Sequence, residues 1–155
     1  MKNDEEERTQ RLRFSYLELL SNALKQKGID NWYFGLHTAL SLNNMVDQKP
    51  DKIFVILDRF FRNKTFRLNG RIINLIRFKN SLFYFGIIDD GIRYSDPNKT
   101  VLDLAFLWDY NGEHKAKVLV KMSEYDEYLS KDKLLEYGQH YPKKIQRIAD
   151  EYTKR

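Results

Sequence analysis

The sequence predicts an α+β domain: a mixed, mainly antiparallel sheet from the central strands, packed by N-terminal and C-terminal helices. Four observations carry this. The N-terminal third has apolar residues at helical spacing, and Ile53-Phe54-Val55-Ile56-Leu57 is an apolar run of strand length. Beyond it, Asn69-Gly70 separates two strand-like segments and Ser95-Asp96-Pro97 opens a helix. The order is helices, strands, helices, not the alternation that builds a parallel βαβ sheet.

Residues 1–8 read as an acidic flexible tail, whose Asp4 to Glu7 also suit a helix N-terminus. Residues 9–28 read as the N-terminal helix. Leu12, Tyr16, Leu20 and Ala23/Leu24 recur on one face, and Gly28 ends it. A shorter helix covers Gly35 to Asn44, with breaks at Asn43-Asn44 and Lys49-Pro50. The run 53–57 suits a strand buried on both faces. Thr65 to Leu68 and Arg71 to Phe78 form a hairpin about Asn69-Gly70, because both turn residues tolerate positive φ. Leu82 to Ile88 reads as a further strand, Asp89-Asp90-Gly91 as a tight turn, and Ile92-Arg93-Tyr94 as an extended piece. In the third helix Ser95 or Asp96 caps, Pro97 takes the first position, and Asn111-Gly112 ends the element. Residues 115–122 fit strand or helix. Residues 123–153 read as two helices broken around Gly138 to Pro142. With no repeat or linker, 1–155 reads as a single domain.

Composition narrows the function classes. At 42% hydrophobic and 14% aromatic, the chain has enough apolar material for a core. Without cysteine it has neither disulfides nor thiolate metal sites nor a cysteine nucleophile. No apolar run approaches the roughly 20 residues that span a bilayer, so the reading is cytoplasmic with no membrane partner. The net charge of +5 is unevenly spread. Residues 49–79 hold nine Lys/Arg against Asp51 and Asp58, leaving the remainder slightly acidic.

Standard catalytic constellations find little support. His37, His114 and His140 lie far apart and outside any motif, and no Gly-x-Ser-x-Gly elbow occurs. The seven glycines form no phosphate loop, and no Gly-Ser precedes paired carboxylates as nucleotidyl transfer requires. Asp89-Asp90 fits a turn better than a cation site, because neighbours on a strand point to opposite faces. One pattern competes: Glu113-x-Lys115 after Asp58 and Asp103 resembles the acid and lysine that metal-dependent nucleases place on one strand. The reading is therefore no catalytic residues, no metal site and no cofactor, with a nuclease-like enzyme as one alternative and a structural interaction subunit as another.

The strongest physical signal is the basic stretch. Arg59, Arg62 and Lys64 follow the first buried strand, and Arg67 and Arg71 flank the Asn-Gly turn. A hairpin that projects these cations suits phosphates or an acidic protein surface, and Phe60, Phe61 and Phe66 can stack on bases. The bland reading is a solvated hairpin whose charges guard an edge strand. Tyr125, Tyr128, Tyr137, Tyr141 and Tyr152 read either as a contact face or as core-boundary packing.

Two segments resemble a family. Trp32-Tyr33-Phe34-Gly35-Leu36-His37-Thr38-Ala39-Leu40-Ser41-Leu42 is similar to the aromatic-x-Gly-x-x-x-Ala-Leu segment of the AbiEi-type abortive-infection antitoxins and transcriptional regulators. Tyr94-Ser95-Asp96-Pro97-Asn98-Lys99-Thr100-Val101-Leu102-Asp103 is similar to their Asp-Pro-Glu-Lys-Thr-Leu-Leu-Asp segment, with Asn98 where Glu is usual. Leu134 to Tyr137 resembles a late helix of that domain, so the likeness covers about 30–150. It implies a non-catalytic antitoxin-like or regulatory domain of a type IV toxin–antitoxin system. The expected partners are a nucleotidyltransferase-like toxin and nucleic acid, the latter through the basic hairpin. The region before Trp32 reads as one helix and not as the family's winged helix. In physical terms Tyr33, Gly35, Ala39, Leu40, Asp96, Pro97, Lys99, Thr100 and Asp103 are read as structural: Gly35 allows a close approach, Asp96-Pro97 starts a helix, and Lys99 and Asp103 pair on its surface.

Overall fold

The computed structural model describes residues 4–47, 51–59 and 64–155, with the backbone alone at 6–7 and 9–14. Helix α1 (Asp4–Gln26) leads through Gly28, at φ 73°, into β1 (Trp32–Phe34) and α2 (Leu36–Leu42). Then come β2 (Lys52–Leu57), β3 (Lys64–Leu68), β4 (Arg71–Arg77), a 3₁₀ turn at Asn80–Phe83, β5 (Ile87–Asp89) and β6 (Arg93–Ser95). The C-terminal part is α3 (Pro97–Tyr110), α4 (Lys115–Ser123), a 3₁₀ turn at Asp126–Tyr128, α5 (Lys131–Gly138) and α6 (Lys143–Thr153).

The fold is α+β, with a six-stranded mixed sheet in the order β3-β4-β2-β1-β6-β5. Pairs β1–β2, β3–β4 and β5–β6 are antiparallel, whereas β1–β6 and β2–β4 are parallel. Alternation along the strands divides the core into two layers. On one side Trp32, Phe34, Ile53, Val55, Leu57 and Ile73 meet Leu17 and Leu20 of α1. On the other, Tyr33 and Ile56 meet Leu36 and Leu40 of α2 and the C-terminal helices. The run 53–57 does supply both layers, as expected of a strand buried on both faces.

Several expectations change. Helix α1 begins at Asp4, inside the segment expected to be a tail, because acidic residues complement the positive end of the helix dipole. Its inward face is Leu17, Leu20 and Ser21, with Tyr16 and Leu24 half-buried and Ala23 exposed; the Leu12 side chain lies outside the described residues. The strand expected over 82–88 is a 3₁₀ turn and then the short β5. Leu82 and Phe83 are both buried, which alternation along a strand does not allow against one core, and Gly86 breaks the chain at φ 64°. Residues 115–122 are helical. His114 Nδ1 caps α4 by accepting from the Ala116 N–H at 3.2 Å, and Val118 and Met122, four apart, face the core.

The hairpin forms as expected. Asn69 at φ 51° and Gly70 at φ 79° make a two-residue turn whose twist matches the strands. Asp96 caps α3, its Oδ1 accepting from the Lys99 N–H at 2.9 Å, and Pro97 occupies the first turn. Gly112, at φ 89°, follows the last turn of α3. Among the described residues no helix is long and apolar enough to cross a membrane.

Candidate functional site

The two family-like segments meet in one sealed cluster. Helix α3 is buried without interruption from Asn98 to Ala105, because it runs between the sheet and the C-terminal helices. Lys99 and Asp103 are therefore not a surface pair: both side chains have 0% exposure. Lys99 Nζ lies 3.3 Å from Asp103 Oδ1. It also sits 4.2 Å from the Phe85 ring centroid, 4.9 Å from Tyr33 and 5.7 Å from Tyr141. The rings replace part of the hydration an ammonium loses on burial.

Asp103 is satisfied from three sides. The Tyr33 hydroxyl donates to its Oδ2 at 2.7 Å, and the Tyr141 hydroxyl and Lys99 donate to its Oδ1. Burial pushes the Asp103 carboxyl up, while Lys99 and the two phenols pull it back. Burial likewise lowers the Lys99 ammonium against the pull of Asp103. Both phenols are raised well above the ordinary tyrosine value, by burial first and then by the Asp103 charge, so they stay protonated and donate. Every polar group here has a partner and none reaches solvent, which is the arrangement of a structural network.

The other motif residues tie this cluster to its surroundings. Thr100 Oγ1 and Ser95 Oγ lie 2.6 Å apart, linking α3 to β6. The Tyr137 hydroxyl donates to Asp96 Oδ2 at 2.6 Å and so draws α5 onto the cap of α3. Asn98 Oδ1 accepts from the Ser130 N–H at 2.8 Å, just ahead of α5. The Gly35 N–H donates to the Phe54 carbonyl at 3.1 Å, and a Cβ at Gly35 would come within 2.7 Å of Ile56 Cγ1, which makes it a close-approach glycine. Ala39 and Leu40 are core.

Sequence reasoning missed Phe85, Gly86, Tyr137 and Tyr141 as members of this cluster. A signal was present in the tyrosine-rich C-terminal part. Its three buried members, Tyr137, Tyr141 and Tyr152, each end on a carboxylate: Asp96, Asp103 and Asp126. A buried phenol needs an acceptor, and these aspartates supply it.

The cationic residues lie elsewhere, at the far end of the sheet. β3 is an edge strand, and Lys64, Thr65, Phe66 and Arg67 are all exposed. Alternation places Lys64 and Phe66 on the face that packs against α1, and Thr65 and Arg67 on the other. Arg71 stacks on Tyr16 of α1 at 4.6 Å, and the Tyr16 hydroxyl donates to the Leu68 carbonyl at 2.6 Å, which fixes the root of the hairpin. Arg59 folds back to donate to the Gly28 carbonyl at 3.0 Å. Arg62, Phe60 and Phe61 lie outside the described residues. Lys64, Arg67 and Arg71 thus border both faces of one edge rather than forming a single flat patch, and Arg59 is tied to the turn after α1 instead.

The nuclease-like pattern does not assemble. Glu113 accepts from Lys121 and lies 3.7 Å from Lys117, whereas Lys115 reaches away to Glu151 at 2.8 Å. Of the upstream acids, Asp103 is sealed and Asp58 accepts from Asn31 and Asn80, each at 2.9 Å. Burial opposes ionisation of Asp58, but these two amides, its own backbone N–H and the nearby Arg59 together hold its carboxyl below the usual value. A depressed folded pKa contributes stability that is complete above the unfolded value and is lost as pH falls through the folded one. The Asp58→Asn variant is expected to lack that acid-side loss, which a comparison of urea midpoints from neutral to acid pH measures. The histidines serve packing and capping: His37 lies against Phe54, His140 stacks on Phe85 at 4.5 Å, and His114 caps α4. Among the described residues no group of three or more His, Asp or Glu is placed to hold a metal ion.

No protein-family model matches the chain, and no curated protein matches it either.

Proposed function

We propose that this chain is a non-catalytic, antitoxin-like regulatory domain that holds an acidic partner at its cationic β3–β4 hairpin. The observation that carries the reading is the exposure of β3. Its four residues from Lys64 to Arg67 all face solvent at the edge of the sheet, in a stretch of sequence with no carboxylate between Asp58 and Asp89. The family-like segments support the same reading from the opposite direction. Their Tyr33, Lys99 and Asp103 close into a sealed network, which leaves contact with a partner to the surface. Nucleic acid and a nucleotidyltransferase-like toxin that presents an acidic surface are the two partner classes this edge suits.

The test is a Lys64→Glu/Arg67→Glu variant. Its binding to a deoxythymidine oligonucleotide, and to the product of any nucleotidyltransferase gene adjacent to this one, is compared with that of the unaltered chain. Affinity is expected to fall at least about tenfold. For the oligonucleotide, the dependence of log Kd on log salt is expected to flatten by roughly two phosphate contacts. Unchanged affinity for both ligands would remove the hairpin from the binding surface.

A further inference from the structure

We propose that the open edge of β3 is a strand-acceptor site, which takes an extended acidic segment of a protein partner as a seventh strand of the sheet. The proposal rests on the reading of the hairpin as the binding surface, and it names the mode of binding and the partner chemistry. In a hairpin closed by two residues the flanking pair, Leu68 and Arg71, is the hydrogen-bonded one, and such pairs alternate along the ladder. Phe66–Ile73 and Lys64–Leu75 are then the next bonded pairs. Thr65 and Arg67, opposite Asn74 and Ile72, turn their N–H and C=O groups to the open side. Both residues are exposed, and among the described residues β3 is the last strand of the sheet. Two consecutive outward residues present two donors and two acceptors in the spacing that another strand matches.

The side chains on this edge select the occupant. Thr65, Arg67 and Asn74 share one face. The Thr65 hydroxyl donates to Asn74 Oδ1 at 2.7 Å, while Asn74 Nδ2 is buried with no acceptor. That face offers the guanidinium of Arg67, which calls for an acidic side chain. The opposite face presents the exposed ring of Phe66, which suits an apolar residue. A second copy fits poorly. Antiparallel pairing of two β3 strands about Phe66 sets Arg67 of each across from Thr65 of the other, so neither guanidinium meets an acid. A nucleic acid satisfies the cations but has no backbone to match the outward N–H and C=O pairs.

A fluorescent peptide of alternating Glu and Val is the probe. It is titrated with the full chain beside a copy N-methylated at alternate amides along its pairing edge and beside a deoxythymidine oligonucleotide. The plain peptide is expected to bind, and N-methylation to weaken it at least about tenfold, the effect of losing two hydrogen bonds. Thr65→Pro removes an outward N–H and the hydroxyl bonded to Asn74, and leaves the β3–β4 backbone ladder intact; Thr65→Val removes the hydroxyl alone. Thr65→Pro is expected to cause a comparable loss, while Thr65→Val retains binding. Equal binding of the plain and N-methylated peptides would overturn strand addition. If Lys64→Glu/Arg67→Glu still abolished that binding, the cationic surface would stand without it. If neither peptide nor oligonucleotide bound, the broader reading would fall as well. A concentration-dependent dimer abolished by Thr65→Pro would assign the edge to a second copy and overturn the proposed occupant.

Discussion

Replacing Lys99 by Met is expected to destabilise the fold by about 3–5 kcal/mol, because it leaves the Asp103 carboxylate buried without its counter-charge. Asp103→Leu should cost at least as much: it strands the ammonium and removes the acceptor of both the Tyr33 and Tyr141 hydroxyls. The two effects should not add. In the double variant no net charge is left buried, and the residual cost is that of the two unpaired phenols, about 1–3 kcal/mol each. Adding Tyr33→Phe and Tyr141→Phe should recover much of that. Urea unfolding of the single, double and quadruple variants measures the coupling directly. Additive single effects would show that the four side chains act separately and not as one network. The surface-pair reading predicts a far smaller effect, about 0.3–0.5 kcal/mol, so one variant separates the two.

Gly86→Ala is the second large effect. Gly86 has φ 64°, and a Cβ there would lie 2.8 Å from Lys99 Cβ and 3.0 Å from the Tyr137 ring. The nearest atom is the first side-chain carbon of a residue rooted in α3, so it cannot swing aside as a side-chain terminus can. The left-handed backbone costs a non-glycine residue about 1–2 kcal/mol, and overpacking adds about 1–3 kcal/mol. At about 2–4 °C per kcal/mol for a chain of this size, Tm should fall by roughly 4–20 °C. Gly70→Ala is the control. It also has positive φ, 79°, but a Cβ at that position would meet no atom within 4 Å, so only the backbone cost applies. Equal losses at the two positions would mean that the packing of Gly86 over Lys99 contributes nothing.

Local chemistry made much of the fold legible. Asn69-Gly70 predicts the hairpin, and Asp96-Pro97 predicts the start of α3, because each signal acts within a few residues. The continuous apolar run at 53–57 predicts a strand that feeds two layers, and β2 does so. The errors fall where a distant group overrides local pattern. Leu82 to Ile88 has strand composition, but the approach of Gly86 to Lys99 and Tyr137 bends the chain out of a strand. Residues 115–122 carry apolar positions that fit either period, and the His114 cap and the packing of Val118 and Met122 select the helix.

The candidate site divides in the same way. That β3 is cationic is a property of composition, readable at once from residues 49–79. That it is an edge strand, with Arg67 and Lys64 on opposite faces and Arg71 held on Tyr16, depends on the order β3-β4-β2-β1-β6-β5 and on where α1 lies. Lys99 and Asp103 show the same limit from inside. By itself the sequence determined that the two are four apart on a helix capped by Asp96, a spacing that permits an ion pair. Only the tertiary structure decided that the pair is buried, because its partners come from far along the chain: Tyr33 from β1, Phe85 from the turn before β5, and Tyr141 from between α5 and α6. A helical spacing is the same on a surface and in a core. What distinguishes the two is the free energy of desolvating the charges, and that is set by the neighbours folding brings to them.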